Sequence, residues 1–138
     1  MITPILRVLD IDLSLAFYTR VLGFRGEGGL PGLDGKTAYA EAYLGDARVM
    51  FARPAPSRSG DTRVGGVELY LVLPESRDLD AFYTHLIARE VCIVEPMHAE
   101  LWGDRAFTVR DLDGNRLTFA QPMRYPVALP ASTLEHVA

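Results

Sequence analysis

The chain has 138 residues, of which 49% are hydrophobic and 23% charged, and this composition is typical of one folded domain rather than a disordered protein. Its net charge of −4 argues against a nucleic-acid-binding face. Cys92 is the only cysteine, which excludes an internal disulfide and a cysteine-based zinc site. Without a signal-peptide pattern or a run of about 18 apolar residues, we expect a cytoplasmic protein with no membrane partner.

The first half of the chain predicts strand, helix and three strands. Alternating apolar residues indicate a strand over residues 2–9, and a helix runs from Asp10, whose carboxylate suits a helix start, to the residue before Gly23. Residues 24–35 contain five glycines and predict a short strand and a loop. Strict alternation over residues 37–44, a Gly45-Asp46 turn and a strand over 47–53 predict a hairpin.

The same order of elements is predicted again after a break rich in proline and serine at residues 54–60. A strand over residues 67–73 precedes a helix that starts at Ser76 or Asp78, and a strand over 91–94 follows. Residues 97–103 form a loop with Trp102, and residues 105–111 and 116–121 form a hairpin. We therefore divide one structural domain into a first module (1–53), a linker (54–63), a second module (64–122) and a loosely packed tail (123–138).

A repeated tetrapeptide supports this division. Ala-Phe-Tyr-Thr occurs at residues 16–19 and again at 81–84, an offset of 81 − 16 = 65 residues, and both copies lie in apolar patterns of helical period. We interpret the repeat as a mark of module duplication, with aromatic side chains that pack each helix against its sheet. Two unrelated amphipathic helices are the alternative.

Two motifs resemble the vicinal oxygen chelate superfamily, which includes glyoxalase I, extradiol dioxygenases and bleomycin-resistance binding proteins. One is Asp-Leu-Asp-Gly-Asn at 111–115 with its flanking residues, and the other is the segment 10–24. The resemblance implies an α+β fold, in which two tandem βαβββ modules form curved mixed sheets around a cleft, commonly in a dimer. It does not imply one reaction, because the fold hosts many activities.

Enzymes of this superfamily hold a divalent metal with His, Glu, His and Glu side chains from four strands. The resemblance places those positions at Thr3, Met50, Glu68 and Thr118, so one carboxylate remains of four ligands. Because two hydroxyls and a thioether are poor ligands for such metals, we expect neither a metal nor another cofactor. His98 and Glu100 are interpreted as a solvated surface pair, and no nucleophile with an adjacent base is visible.

The residues opposite the helix-facing positions of each strand combine aromatic and charged side chains, as a ligand cleft does. They are also what the exposed face of an antiparallel sheet would carry. Trp102 is the natural stacking residue for a planar ligand, although a core or dimer-contact position is equally compatible with its sequence context. The predicted ligand-binding residues are Tyr39, Glu41, Tyr43, Arg48, Met50, Glu68, Tyr70, Trp102, Thr108, Arg110 and Thr118.

The sequence thus favours a bacterial, metal-independent homodimer that sequesters a planar or aromatic compound, as in antibiotic resistance. The second hypothesis is a lyase or dioxygenase with displaced ligands such as Glu41, Glu68 and His98, or a metal-free enzyme that uses Glu68 or a tyrosine as acid and base. Convergence of the three displaced ligands would favour the metal-dependent form. The third hypothesis is a dimerising scaffold that binds no ligand.

Overall fold

A computed structural model describes residues 1–54 and 63–123 of the chain. The predicted linker 54–63 and tail 123–138 lie outside these ranges except at their ends. Each half of the described chain contains a strand, a helix and three further strands. In chain order the elements are β1 (Ile5–Arg7), α1 (Ile11–Ala16) with its π-helical continuation (Phe17–Val21), β2 (Arg25–Pro31), β3 (Thr37–Leu44), β4 (Ala47–Ala52), β5 (Glu68–Val72), α2 (Leu79–Ala88), β6 (Ile93–Ala99), β7 (Asp104–Arg110) and β8 (Arg116–Pro122).

The strands form two four-stranded mixed sheets of the same topology. The order is β1-β4-β3-β2 in the first sheet and β5-β8-β7-β6 in the second. In each sheet the first strand pairs in parallel with the last, and the remaining neighbours are antiparallel. The predicted α+β fold of two βαβββ modules is confirmed. Two strands are longer than predicted, because β2 extends to Pro31 and β6 continues through Pro96 to Ala99.

Both helices begin at an aspartate, as the sequence predicts. The Asp10 carboxylate accepts a hydrogen bond from the backbone N–H of Leu13 at 3.0 Å, and the Asp78 carboxylate accepts one from Ala81 at 3.1 Å. These bonds satisfy N–H groups that the first helical turn leaves without a partner. Among the described helices, none is long and apolar enough to cross a membrane.

The tetrapeptide repeat does not occupy equivalent positions in the two helices. The buried residues Ile11, Ser14 and Tyr18 correspond to Leu79, Phe82 and Leu86 at an offset of 68 residues (79 − 11, 82 − 14, 86 − 18). Ile5 of β1 pairs with Met50 of β4, and Tyr70 of β5 pairs with Thr118 of β8, so Ile5 and Tyr70 hold matching places in the two sheets. Their offset of 65 residues (70 − 5) equals that of the tetrapeptide. The second module therefore has three more residues between its first strand, β5, and its helix, α2, than the first module has between β1 and α1. These residues explain why the helices correspond at an offset of 68 and the first strands at 65. The aromatics do pack the helices, as predicted, but Tyr18 is the fully buried ring in one copy and Phe82 the more buried in the other.

The two modules share one hydrophobic core. Apolar side chains of both sheets and both helices belong to a single buried cluster, in which the rings of Phe24 and Phe119 bring the modules together with centroids 6.3 Å apart. Because successive side chains of a strand point to opposite faces, the other face of each sheet lies outside this core. We call these the first outer face, on the sheet β1–β4, and the second outer face, on the sheet β5–β8.

The Asp-Leu-Asp-Gly-Asn turn joins the modules through hydrogen bonds. Tyr18 donates its hydroxyl hydrogen to the Asp111 carboxylate at 2.7 Å, and the backbone N–H of Leu9 and the Ser14 hydroxyl donate to Asp113 at 3.1 and 3.3 Å. The buried Asn115 donates to Asp111 from its backbone at 2.8 Å and from its side chain at 2.9 Å. The polar side chains described for this turn therefore either bind the first module or stabilise the turn itself.

Close backbone approach explains a glycine beside this turn. Gly65 has a positive φ of 78°, and a Cβ atom there would lie 2.3 Å from the carbonyl oxygen of Asp113. Only glycine fits so near a backbone oxygen at that φ. The segment that leads into β5 is thereby held against the β7–β8 turn.

Candidate ligand-binding surface

The first outer face carries an aromatic and charged network. The Arg48 Nε donates to Glu41 Oε2 at 2.6 Å, and the Tyr43 hydroxyl donates to the same oxygen at 2.6 Å. A second guanidinium nitrogen of Arg48 donates to the Tyr39 hydroxyl at 3.1 Å, and Arg25 lies 4.7 Å from the centre of the Tyr43 ring. The polar ends of both tyrosines are satisfied within the network, so their rings form a fixed aromatic surface.

The charges of this network are matched within the chain. The hydrogen bonds from Arg48 and then from Tyr43 lower the pKa of Glu41 to about 2. The hydrogen bond with Glu41 raises the pKa of Arg48 above its ordinary value. Glu41 and Arg48 are thus ionised across the neutral range and offset each other. Met50 and Ile5 lie beside Glu41 in the sheet register and add apolar surface.

The second outer face carries a cluster of two aromatic residues and one carboxylate, which we call the Trp102 cluster: Tyr70, Trp102 and Asp104. The Tyr70 hydroxyl donates to Asp104 Oδ2 at 2.6 Å, and Trp102 Nε1 donates to the same oxygen at 3.2 Å and to the tyrosine oxygen at 3.0 Å. Trp102 is 62% exposed and Tyr70 is 44% exposed. Partial burial and then the Asp104 carboxylate raise the pKa of Tyr70 to about 12, so the phenol stays a neutral donor near pH 7.

Ion pairs surround this cluster on the same sheet. Arg116 bridges two carboxylates, Glu68 at 3.3 Å and Glu95 at 3.0 Å. Its Nε is buried without a hydrogen-bond partner in the described structure. His98 Nε2 lies 2.7 Å from a Glu100 oxygen, which is the surface pair that the sequence suggests, although both side chains are half-buried. Hydrogen bonds to the carbonyl of Pro96 and then to Glu100 raise the pKa of His98.

Small side chains occupy the centre of the second outer face. Thr108 and Thr118 are cross-strand partners whose hydroxyl oxygens lie 2.7 Å apart. Ala106 and Ala120, the next pair on that face, are buried without belonging to the shared core. Larger side chains therefore stand around a centre of small ones, an arrangement that leaves room for a flat molecule.

The eleven predicted site residues fall into two groups that the chain does not bring together. The five from the first module lie on the first outer face, and the six from the second module lie on or beside the second outer face. None of the hydrogen bonds and ion pairs between described residues joins the groups, and the shared core lies between the two sheets. The first group is Tyr39, Glu41, Tyr43, Arg48 and Met50, and the second is Glu68, Tyr70, Trp102, Thr108, Arg110 and Thr118.

The sequence reasoning missed three polar residues of the second outer face. Asp104 is absent from the predicted site because the sequence predicts that the last hairpin starts at Arg105, although Asp104 continues the alternation of Ala106 and Thr108. Glu95 is absent because the sequence predicts that β6 ends at residue 94, whereas the strand continues to Ala99. Arg116 is predicted only as part of the hairpin, and its alternation with Thr118 is the signal that places it on this face.

Comparison with known proteins identifies the family. The model of the glyoxalase/bleomycin resistance protein/dioxygenase superfamily matches residues 2–119. The chain belongs to this superfamily. The resemblance that the two sequence motifs indicate is thus confirmed. A search of curated proteins finds no match.

Several solved structures resemble the chain. TioX from Micromonospora sp. ML1 is 25% identical over 88% of this chain and 98% of its own, with a TM-score of 0.71. A lactoylglutathione lyase from Agrobacterium tumefaciens is 20% identical over 88% and 92%, with a TM-score of 0.68. TnmS3 from Streptomyces sp. CB03234, an antibiotic binding protein, is 23% identical over 88% and 93%, with a TM-score of 0.67. The last two likenesses establish the fold only.

Three of the positions that the resemblance assigns to metal ligands do not share one face: Met50 lies on the first outer face, and Glu68 and Thr118 lie on the second. Met50 and Thr118 occupy matching places in the last strand of each sheet, where they pair with Ile5 and Tyr70. Glu68 is the carboxylate among the four positions, and it is engaged by Arg116. Within the part of the chain that is described, no three His, Cys, Asp or Glu side chains are grouped as metal ligands.

The displaced ligands that the second hypothesis requires are dispersed in one chain. Glu41 lies on the first outer face, while Glu68 and His98 lie on the second. Their nearest charged partners are Arg48, Arg116 and Glu100 respectively. Three groups with separate partners do not form one coordination site within a single chain.

Proposed function

We propose that the protein binds a small planar or aromatic molecule between the outer faces of two copies of the chain, and that it sequesters this molecule without a metal. Antibiotic-resistance-type sequestration in the bacterial cytoplasm is the biological role that we propose. The residues that would contact the ligand are the two groups described above, extended by Asp104.

The Trp102 cluster is the observation that carries the proposal. Exposed indole and phenol groups usually turn their polar atoms to water. Here Asp104 accepts hydrogen bonds from both, so the polar edges are satisfied within the protein and the ring faces remain available. Rings fixed in this way stack on a flat ligand with little loss of side-chain entropy.

The division of the predicted site supports a homodimer. Each chain presents one aromatic face on each sheet, and a single chain cannot enclose a ligand between them because its own core separates the sheets. A two-fold pairing would place the first outer face of one copy opposite the second outer face of the other. Exposed apolar residues on these faces, namely Ile5 at 47% and Val72 at 58%, would gain from that contact.

The relatives support binding rather than one reaction. TnmS3 is an antibiotic binding protein with this fold, whereas the lactoylglutathione lyase shows that the fold also serves catalysis. In our chain three of the four metal-ligand positions carry side chains that are poor ligands, and the fourth, Glu68, is paired with Arg116. These features favour a binding protein that does not depend on a metal.

Replacement of Trp102 tests the proposal. Titration calorimetry with fused-ring aromatic compounds of different charge should show at least one compound that binds, and Trp102→Ala should weaken its binding about tenfold or more. Because Trp102 is 62% exposed, the same change should alter the free energy of unfolding by less than about 0.5 kcal/mol. A large loss of stability with unchanged binding would assign Trp102 to a structural role and contradict the proposal.

A further inference from the structure

The Trp102 cluster has a charge that the described chain does not balance. On the second outer face Glu68 and Glu95 share the single guanidinium of Arg116, and Glu100 contacts His98. Arg110, at the other end of β7 from Asp104, forms no ion pair among the described residues. Asp104 takes part in no ion pair among the described residues, and its two hydrogen-bond donors are neutral. A negative charge therefore remains at the point where the two exposed rings meet.

From this arrangement we infer that the ligand is an organic cation, with a protonated amine that lies against the Trp102 and Tyr70 rings and near the Asp104 carboxylate. This inference rests on the proposed function and names its ligand class. The tryptophan and tyrosine centroids are 6.1 Å apart with the ring planes at 58°, so the two faces form an open corner and not a stack. A corner of this kind accepts an ammonium group over the faces of both rings.

Two physical effects favour a cation in this corner over a neutral or anionic group. The negative faces of the rings attract positive charge, and an indole is the strongest aromatic partner. The Asp104 carboxylate adds an attraction that grows as the ligand displaces water. The strands of the first outer face add no unpaired carboxylate among the described residues, because Glu41 is paired with Arg48 and Glu27 with Arg25. Arg7 on that face is a cation whose described side-chain hydrogen bond goes to the carbonyl oxygen of Arg53. The negative charge that would select an amine is therefore that of Asp104, on the second outer face.

Three naphthalene probes of the same shape and different charge test the inference: 2-naphthylmethylammonium, 2-naphthalenemethanol and 2-naphthoate. Titration calorimetry with the full chain near pH 7 should show the order cation, neutral, anion, with about a tenfold preference for the cation over the alcohol. Asp104→Asn keeps a hydrogen-bond acceptor for both rings and removes the charge. It should reduce cation affinity about tenfold and leave the affinity for the alcohol within twofold.

A matched variant controls for the net charge of the protein. Glu90→Gln removes one negative charge at an exposed position just after α2 and should leave all three affinities within twofold. If the alcohol or the naphthoate binds as tightly as the ammonium, or if Asp104→Asn and Glu90→Gln act alike, the inference is overturned while aromatic binding stands. Absence of binding by all three probes would overturn the proposed function together with the inference.

Discussion

The hydroxyl group of Tyr18 should hold the two modules together. Tyr18 is fully buried, and its hydroxyl lies 2.7 Å from a carboxylate oxygen of Asp111, which also accepts three hydrogen bonds from Asp113 and Asn115. Burial, and then Asp111, raise the pKa of Tyr18 far above its ordinary value, so the phenol remains a donor at all ordinary pH values. A hydrogen bond to a charged group contributes about 1.5–3 kcal/mol. Tyr18→Phe should therefore lower the free energy of unfolding by about 2 kcal/mol.

The repeated tetrapeptide provides the matched control. Tyr83 is the tyrosine of the second tetrapeptide, is half-buried, and donates no hydrogen bond from its hydroxyl within the described structure. Tyr83→Phe should change stability by less than about 0.5 kcal/mol. Urea unfolding followed by far-UV circular dichroism measures both values, and the dependence on denaturant should be the same for the two variants. Equal, small losses would refute the role of the Tyr18–Asp111 bond in joining the modules.

Two further predictions concern the charged network and the metal. The side-chain carboxyl of Glu41, followed by NMR during an acid titration, should show a pKa of about 2, and Arg48→Met should raise it towards 4.5. Because the pKa of Glu41 is lowered in the folded state, its interaction with Arg48 and Tyr43 stabilises the fold above about pH 4.5, and this stabilisation is lost as the pH falls towards 2. An unshifted pKa of Glu41 in the parent chain would contradict the network. Calorimetric titration with divalent manganese, nickel and zinc should show no tight site, whereas one metal bound tightly per chain, with catalytic activity, would overturn metal independence.

Local sequence signals predicted most of the fold. Asp10 and Asp78 begin the helices because a carboxylate satisfies the first N–H groups, and strict alternation over residues 37–44 identified β3 and its two faces. The end of β6 was not predictable in this way. Pro96 interrupts the apolar pattern there, and pairing with β7 nevertheless carries the strand to Ala99. Strand pairing overrode a local signal.

The repeat illustrates a similar limit. Four identical residues suggest equivalent positions, but burial in a helix depends on the distance from its start. Three extra residues between β5 and α2 shift the second helix relative to its sheet, so Phe82 takes the place of Ser14 and not of Phe17. The repeated tetrapeptide correctly indicated that both segments are packed helices, but it did not indicate which residues take equivalent positions in them.

The candidate site was predictable as two half-sites only. Alternation assigns Tyr39 and Glu41 to one face and Tyr70 and Thr118 to another, and the structure places them on those faces. Alternation carries no information on how two sheets are oriented towards each other. That orientation follows from the packing of both helix-covered faces into one core, which only the three-dimensional structure reveals.

Native mass spectrometry tests the central claim most directly, because it reports the number of chains and the bound molecule in one spectrum. The parent protein mixed with polycyclic aromatic amines should appear as a dimer that retains one of these compounds, and Trp102→Ala should remain a dimer that no longer retains it. A monomer, or a dimer whose compound is held equally well without the indole ring, would contradict a shared aromatic site on the outer faces.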